Sequence, residues 1–343
     1  MNPLINRIAT EEAWAPPELL ARYRKLLEDK PASWDPGFRS LWGFFLGATP
    51  RATQLAARIQ DLGARRIADM DASGIAKQLV LLTAPGVQVF DAATAVSLST
   101  ELNDQLLQEI RKYPDRYAAL AAIAPQQPGA AAAELQRAVR KLGMKGAVIN
   151  SHTQGEYLDD PKYWEIFEAA QALDVPLYLH PNTPPASMIE PFLPRGLDGA
   201  IYGFAVETGL HLLRIIVAGV FDRFPRLKLV VGHLGEGLPF WLFRLDFMHR
   251  SMVNANRYPG VKPLKKKPSD YLRENVWVTT SGMQWAPAIL FCQQVLGVDR
   301  VMYAMDYPYQ FVPEEVKVTD ELPLPAGDRQ KLYQLNAERV FKL

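Results

Sequence analysis

The sequence lacks the features that would place it in an oxidising compartment, in a membrane or on a polyanion. Cys292 is its only cysteine, so no disulfide can form within the chain, which suits a reducing cytoplasm. The first twelve residues lack the apolar stretch of a signal peptide, and no segment approaches the about 18 uninterrupted apolar residues of a membrane span. With 38 basic and 37 acidic residues, the formal net charge is only +1, which disfavours binding to nucleic acid or anionic lipid.

Short aliphatic runs alternate with longer amphipathic stretches along most of the chain. The runs predict eight strands, at 7–12, 77–83, 117–125, 145–152, 176–182, 227–235, 275–282 and 300–308. Helical spacing of apolar residues predicts helices over 54–70, 131–142, 161–173 and 208–221. Most of the strands are apolar on both faces, as parallel strands covered by helices are. The pattern therefore predicts an α/β fold, a (β/α)8 TIM barrel that forms a single domain over residues 1–343.

Two long stretches interrupt the alternation, and the strand ends carry most of the candidate functional residues. Residues 15–50 form an aromatic, proline-rich insertion after the first strand, and residues 183–206 form a second insertion after the fifth. In such barrels the segments that follow the strands build the active site. The polar residues at these strand ends are Glu11, Glu12, Asn150, His152, His180, His233, Glu236, Thr280, Ser281 and Asp306.

Three of these residues follow three different strands and form a candidate metal site. Glu11, His180 and Asp306 could together hold one divalent cation and leave positions open for a substrate. Two carboxylates and one imidazole favour Mn²⁺, with Zn²⁺ or Fe²⁺ as alternatives. The residues alone also allow a simpler interpretation, in which His180 is a hydrogen-bonded core residue and Asp306 caps a loop.

The pairs Glu11–Glu12 and His233–Glu236, which lie at two strand ends, have different predicted roles. Alternation along a strand puts Glu11 and Ala13 on one face and Glu12 on the other. If Glu11 faces the barrel axis, Glu12 takes a structural hydrogen bond or salt bridge. Glu236 stands three residues after His233, and on a helix starting near Leu234 it would orient His233 and raise its basicity. Alternatively, Glu236 only sits favourably at a helix amino end.

Two arginines near these strand ends are further candidates for binding an anionic substrate. Arg51 ends the first insertion, and Arg244 follows the His233 segment. A guanidinium group can grip a carboxylate through two parallel hydrogen bonds. Residue chemistry alone does not select these two arginines from the others in the chain.

Several motifs give the chain a nearly end-to-end resemblance to a known family. They are I-A-T-E-E-A, R-R-I-A-D-M-D-A-S-G-I, I-N-S-H-T-Q-G, H-P-N, L-K-L-V-V-G-H-L-G-E and V-M-Y-A-M-D-Y-P-Y-Q. With these motifs the sequence resembles the amidohydrolase superfamily, and within it the metal-dependent decarboxylase branch. That branch includes aminocarboxymuconate semialdehyde decarboxylase and the ortho-hydroxybenzoate decarboxylases, and the likeness is strongest to the 5-carboxyvanillate decarboxylases.

The resemblance implies a role for each matching residue. Glu11, His180 and Asp306 match the metal ligands, and His233 with Glu236 matches an active-site pair. Arg51 matches a residue that grips substrate carboxylate, and Arg244 matches an arginine that reaches into the neighbouring subunit's site. Thr83 and Tyr309 match residues that line the substrate pocket. Much of the superfamily has a second metal ligand at the position of Ala13, and its absence leaves more room for a chelating substrate.

The implied activity is the metal-dependent, non-oxidative decarboxylation of an ortho-hydroxybenzoate, with conversion of 5-carboxyvanillate to vanillate as the first candidate. Asp306 would protonate the ring carbon before carbon dioxide leaves. The resemblance implies one divalent metal, Mn²⁺ before Zn²⁺, no organic cofactor, and a homodimer or homotetramer. A metal-dependent lactone or amide hydrolase on the same barrel is the alternative enzyme, and a non-catalytic binding barrel is a third interpretation. The ring substituents and the physiological direction stay open.

Overall fold

A computed structural model describes residues 6–31 and 33–343, and all eight predicted strands are present in it. The third strand is in two parts separated by Leu120. The strands are β1 (Arg7–Trp14), β2 (Ile75–Leu82), β3 (Tyr117–Ala119 and Ala121–Ala122), β4 (Ala147–Asn150), β5 (Leu177–His180), β6 (Leu229–Val231), β7 (Val276–Thr279) and β8 (Val301–Met302). Each strand pairs in parallel with the next.

Hydrogen bonds between the first and last strand segments close the sheet into a barrel. The Thr10 amide donates to the Tyr303 carbonyl oxygen at 3.1 Å, and the Ala13 amide donates to the Tyr307 carbonyl oxygen at 2.7 Å. Because β1 and β8 meet at this seam, the carboxyl ends of all the strands converge at one end of the barrel. The predicted (β/α)8 barrel is confirmed.

Helices follow the strands and cover the barrel from outside, and many of them begin with proline, which suits the first helical turn. The α-helices are Pro17–Asp29, Pro36–Phe45, Pro50–Ile59, Ala64–Ala72, Ala92–Ile110, Pro128–Arg137, Trp164–Leu173, Gly203–Val217, Val220–Arg223, Leu242–Asn254, Pro268–Glu274, Ala286–Leu296, Glu315–Asp320, Ala326–Gln330 and Asn336–Phe341. Tighter or wider helical turns occupy Ala138–Leu142, Pro161–Tyr163, Leu193–Arg195, Leu238–Trp241, Val298–Arg300 and Lys331–Leu335. Within the described ranges, none of these helices is both long and apolar enough to cross a lipid bilayer.

Two of the four predicted helices are wrong as continuous elements. The stretch 54–70 is divided between Pro50–Ile59 and Ala64–Ala72, because the Asp61 carboxylate accepts hydrogen bonds from the Gly63 and Arg66 amides at the break. The stretch 208–221 is interrupted at Gly219, whose φ of +78° ends the right-handed helix. Apolar periodicity continues across both breaks, so it does not reveal them.

The first insertion is helical and packs over the carboxyl end of β2. The Tyr23 hydroxyl donates to the Gly86 carbonyl oxygen at 2.7 Å, and Trp42 Nε1 donates to the Ala84 carbonyl oxygen at 3.1 Å. The Tyr23 ring lies 4.7 Å from that of Trp42 and 5.3 Å from that of Phe38. This buried aromatic cluster fixes the insertion beside the segment that follows Thr83, at the end of the barrel where the candidate residues lie.

Candidate active site

The Glu11 carboxylate lies at the barrel axis, as strand alternation predicts. Its Oε2 atom accepts hydrogen bonds from the hydroxyls of Tyr178, Thr279 and Ser281, and the Thr279 bond measures 2.9 Å. These donors belong to β5 and to β7 with the residues after it, strands that do not neighbour β1, so Glu11 reaches them across the barrel interior. Oε2 is therefore saturated, and the carboxylate is held in one orientation.

The other oxygen of Glu11 faces two histidines and fits a cation. Oε1 is buried and has no hydrogen-bond partner among the described residues. It lies 3.5 Å from His180 Nε2 and 4.0 Å from His233 Nε2. Because His180 Nδ1 is engaged with the Pro181 carbonyl oxygen at 2.9 Å, the neutral ring carries its proton there and leaves Nε2 as a free ligand atom. An unpaired carboxylate oxygen facing an imidazole nitrogen is a donor set that a divalent metal satisfies.

Burial, neighbouring charges and hydrogen bonds together set the protonation states of Glu11 and His180. It lowers the pKa of His180, although the Glu11 charge opposes the effect, so the ring tends to be neutral. Burial alone would raise the pKa of Glu11, but the two histidines and the Ser281 and Tyr178 donors outweigh it and lower that pKa. A neutral imidazole beside an ionised carboxylate is the state that metal binding requires.

Asp306 lies after β8, partly buried, with a left-handed backbone φ of +65°. Burial raises its pKa well above the ordinary value; His233 lowers that pKa, whereas Glu11 and Glu12 raise it further. In the described part of the chain, no three or more His, Cys, Asp or Glu side chains already surround a common point as a metal cluster does. The structure thus brings Glu11 and His180 together, while Asp306 as the third ligand stays a prediction.

His233 and Glu236 form an ion pair on an unusual backbone. His233 Nδ1 and Glu236 Oε1 are 2.8 Å apart. The predicted right-handed helix near Leu234 is wrong, because five consecutive residues have positive φ values: 50° at His233, 54° at Leu234, 80° at Gly235, 54° at Glu236 and 76° at Gly237. The left-handed turn still puts both side chains on one side. It is a strained conformation of the kind found at functional sites.

Neighbouring carboxylates raise the pKa of His233 strongly. Burial would lower the pKa of His233, but the carboxylates of Glu236 and Glu11 outweigh it and raise the pKa to about 10. The His233 amide also donates to Ser281 Oγ at 3.1 Å, and Ser281 in turn donates to Glu11. His233 is therefore a cationic group, tied through Ser281 to the candidate metal ligand.

The predicted substrate-binding residues are only partly brought together. Thr83 Oγ1 and the Tyr309 hydroxyl are 2.5 Å apart, and the Tyr309 ring packs 5.2 Å from that of Phe45. Arg244 lines a cavity of about 820 Å³ together with His233, Glu236 and Asp306. Arg51 is exposed at the start of the helix Pro50–Ile59, and it makes no side-chain hydrogen bond or ion pair with any described residue. Thr83 and Tyr309 thus contact each other, Arg244 shares a cavity with Asp306, and the substrate-binding roles of all four residues stay predictions.

His152, Thr280 and Glu12 have structural hydrogen-bond partners, whereas the buried Oδ1 atom of Asn150 has none among the described residues. His152 Nε2 is hydrogen-bonded to the Thr183 carbonyl oxygen at 2.9 Å, and its Nδ1 accepts from the Gly155 amide at 3.1 Å. Thr280 Oγ1 bonds to both the amide and the carbonyl oxygen of Ala304. The predicted structural hydrogen bond of Glu12 is confirmed, since the carboxylate accepts two backbone amides after β8.

Three residues that support Glu11 were missed from the sequence. Tyr178 and Thr279 stand two positions before His180 and Ser281, so strand alternation could have placed them on the same inward face. Gly232 carries no such signal. Its importance depends on the close approach of Glu11, since a Cβ built at Gly232 would lie 2.6 Å from Oε2 and 2.8 Å from Oε1.

Gly232→Ala is expected to leave the barrel folded and to weaken metal binding about 10- to 100-fold, because the added methyl group displaces the Glu11 carboxylate. Titration calorimetry with Mn²⁺ measures the change. Gly199→Ala is the matched control, because a Cβ there meets no atom within 4 Å. Equal Mn²⁺ affinity in the two variants would contradict the proposed contact.

Comparison with known proteins identifies the family of the chain. The amidohydrolase family model matches residues 34–343. Gamma-resorcylate decarboxylase of Polaromonas sp. strain JS666 is 35% identical over 298 residues, covering 84% of this chain and 90% of the relative.

Two solved structures of 5-carboxyvanillate decarboxylase are also similar over nearly the whole chain. The enzyme from Novosphingobium aromaticivorans, complexed with manganese and 4-hydroxy-3-methoxy-5-nitrobenzoic acid, has a TM-score of 0.97 at 52% identity and covers 100% of this chain and 98% of its own. The enzyme from Sphingomonas paucimobilis has a TM-score of 0.92 at 39% identity and covers 99% of each chain. The chain therefore belongs to the amidohydrolase family, and it is similar to that family's decarboxylases.

Proposed function

We propose that the protein is a metal-dependent carboxy-lyase that removes the carboxylate ortho to a phenolic hydroxyl, with 5-carboxyvanillate as its first candidate substrate and vanillate as the product. The observation that carries the proposal is the unpaired Glu11 Oε1 opposite His180 Nε2 at the barrel axis. The similarity to enzymes named for the decarboxylation of hydroxybenzoates supports the same reaction.

Glu11, His180 and Asp306 are the proposed ligands of one divalent metal. Oxygen and nitrogen donors without thiolate suit Mn²⁺, and manganese is present in the related structure from Novosphingobium aromaticivorans. Zn²⁺ is the alternative. A metal held by these residues would supply positive charge that offsets the negative charge of the substrate. No organic cofactor is proposed, because this charge takes the place of an electron sink.

Asp306 is the proposed proton donor to the ring carbon that bears the carboxylate. Protonation there gives a dienone; the bond to the carboxylate then breaks, its electron pair returns to the ring, and carbon dioxide leaves. This order avoids an aryl anion. Burial favours a protonated Asp306, and His233, which Glu236 orients and makes more basic, is proposed to hold the phenolate oxygen.

Four residues are proposed to bind the substrate around this centre. Thr83 and Tyr309 close one side of the ring pocket, and their mutual hydrogen bond fixes both hydroxyls. Arg244, which also lines the cavity of its own chain, is proposed to bind a carboxylate of the substrate in the site of a neighbouring copy. Arg51 is assigned the same role on the resemblance alone.

The test is an assay of the purified, Mn²⁺-loaded protein over a panel of hydroxybenzoates that includes 5-carboxyvanillate. Ultraviolet spectra follow loss of substrate, and carbon dioxide is measured in the same reactions. We expect one molecule of carbon dioxide for each substrate consumed. A lactone and an amide panel tests the alternative hydrolase, and ring opening or amide cleavage without carbon dioxide release would refute decarboxylation. Absence of both activities and of metal binding would favour a non-catalytic barrel.

We also propose a homo-oligomer in which Arg244 completes the active site of a neighbouring copy. Large apolar side chains flank Arg244 on the helix Leu242–Asn254 and the turn before it: Phe243 is 84% exposed and Phe240 is 76% exposed. Trp241 and Phe247 add to the same surface. An exposed aromatic cluster around an arginine has the composition of a protein interface. A dimer is the simplest assembly that would cover it, and a tetramer is the alternative.

Mixing two inactive variants tests this arrangement. Arg244→Ala and Asp306→Asn subunits, unfolded and refolded together, are expected to recover up to about one quarter of wild-type activity, because half of the molecules in a random mixture are mixed dimers with one intact site. Each variant refolded alone is the control. Mixed dimers verified by mass spectrometry that show no recovery would contradict a shared site.

The chain is further proposed to form one domain over residues 1–343 and to work in the cytoplasm. One continuous hydrophobic cluster that joins β1 to the last helix, Asn336–Phe341, supports the first point. The single cysteine, Cys292, is buried and unpaired, which suits a reducing compartment.

A further inference from the structure

Glu12 bridges the two backbone amides on either side of Asp306. Its side chain is fully buried, Oε1 accepts the Met305 amide at 2.9 Å, and Oε2 accepts the Tyr307 amide at 3.0 Å. Met305 and Tyr307 are the immediate chain neighbours of Asp306. One carboxylate on β1 thus holds both peptide groups that define the position of the proposed proton donor.

The backbone around Asp306 needs such a support. With φ of +65°, Asp306 adopts a left-handed conformation that is unfavourable for a residue with a side chain and persists only where its surroundings fix it. The backbone hydrogen bonds between β1 and the chain after β8 join Thr10 to Tyr303 and Ala13 to Tyr307, and they leave the two amides that flank Asp306 in need of other acceptors. Glu12 provides both of them inside the barrel wall.

Arg66, in the helical layer, also holds the segment that carries Asp306. Arg66 is fully buried. Its Nη1 donates to the Ala13 carbonyl oxygen at 2.8 Å, and its Nε donates to Gln78 Oε1 at 2.7 Å. Its guanidinium group lies 4.5 Å from the centre of the Tyr307 ring. Burial raises the pKa of Glu12 to about 8, and the positive charge of Arg66 opposes this effect. Glu12 and Arg66 therefore hold the segment that carries Asp306 from two sides.

We propose that Glu12 is a positioning residue for Asp306: by binding the amides of Met305 and Tyr307 it holds the left-handed backbone that presents the Asp306 carboxyl to the substrate. The inference rests on the proposed role of Asp306 in decarboxylation. Glu12 itself touches neither substrate nor metal, and acts only through the backbone.

Glu12→Gln separates this role from a purely structural one. The glutamine amide has the same shape but turns an N–H group toward one of the two backbone amides, which then loses its acceptor. We expect kcat to fall about 10- to 100-fold while KM changes less than about threefold, because Asp306 is displaced but the remaining substrate contacts stay. The alkaline limb of the pH profile of kcat, where Asp306 loses its proton, is expected to shift as well.

Glu134→Gln is the matched control. Glu134 is also a buried carboxylate that accepts internal hydrogen bonds, from Asn103 at 2.7 Å and from Arg137 at 2.8 Å, but it lies in the outer helical layer. If both variants lose only thermal stability and keep a normal kcat and pH profile, positioning by Glu12 is refuted. If Glu12→Gln does not fold, Glu12→Asp replaces it, since the shorter side chain keeps the charge and cannot reach both amides.

Crystal structures of the wild-type protein and of the Glu12 variant show the position of Asp306 directly, so this test does not depend on the reaction. Displacement of Asp306, or loss of its positive φ, would support positioning even if the wild-type protein decarboxylates none of the hydroxybenzoates tested. In that case only the proposed function fails. An unmoved Asp306 in the variant would overturn the inference whatever the activity.

Discussion

Replacement of Asp306 by asparagine is expected to leave the protein folded and to reduce kcat by about 1,000-fold, within the range that positioned proton donors contribute. Asparagine preserves the shape of the side chain but has no acidic proton for the ring carbon. KM is expected to change much less, since the arginines and the hydroxyls of the pocket are untouched. Steady-state release of carbon dioxide by the Mn²⁺-loaded variant measures the effect.

Asp299→Asn is the control for Asp306→Asn. Asp299 also lies beside β8, but it is on the surface and pairs with Lys331 at 3.2 Å. Its replacement should leave kcat unchanged. Near-normal turnover in a metal-loaded Asp306→Asn protein would remove Asp306 from the chemistry, and the proton donor would then have to be sought at His233.

Replacement of Glu11 by glutamine is expected to weaken Mn²⁺ binding at least about 100-fold and to abolish activity at ordinary metal concentrations. The amide oxygen of glutamine can take over the three hydroxyl donors that now bind Oε2. Its NH₂ group then occupies the place of Oε1 and points at His180 Nε2, where it fills the proposed metal position with a hydrogen-bond donor. Titration calorimetry and the Mn²⁺ paramagnetic resonance signal follow the loss of affinity.

Glu236→Gln is the control for the metal assignment. Glu236 is buried like Glu11 and pairs with His233, but it is not among the proposed ligands. Its replacement is expected to lower the pKa of His233, since the carboxylate is the main group that raises it, and to leave Mn²⁺ affinity within about threefold. If Glu11→Gln kept full Mn²⁺ affinity, the metal site would have to lie elsewhere.

The strands and the meeting of Glu11 with His180 follow from the sequence for a simple reason. Aliphatic runs are long enough to identify each strand, and parallel strands in a barrel end at one face, so polar residues at their ends converge. The direction of the Glu11 side chain follows from the two-residue period of a strand. The strands and the direction of Glu11 thus depend on the local residue pattern, and the meeting of Glu11 with His180 depends on the parallel order of the strands.

The predictions that were wrong, and the features that were not predicted, depend on contacts between segments that are distant in the chain. The left-handed turn from His233 to Gly237 is anchored by Ser281, which lies after another strand, and local helix signals do not report it. Asp61 ends one predicted helix through a cap that resembles an ordinary surface residue. The location of Arg51 depends on how a long insertion folds, and the resemblance alone does not place its side chain.

The closed seam between β1 and the segment after β8 has a consequence for how the protein is made. Thr10 and Tyr303, which meet there, are 293 residues apart in the chain, and Glu11 and Ser281 are separated by 270 residues. Contacts of such long range form slowly, because the loop between them must be closed first. On the ribosome, Glu11 therefore gains its full set of donors only after Ser281 has been synthesised. Metal capture and barrel closure are thus late events in biogenesis, after most of the helical layer has been synthesised.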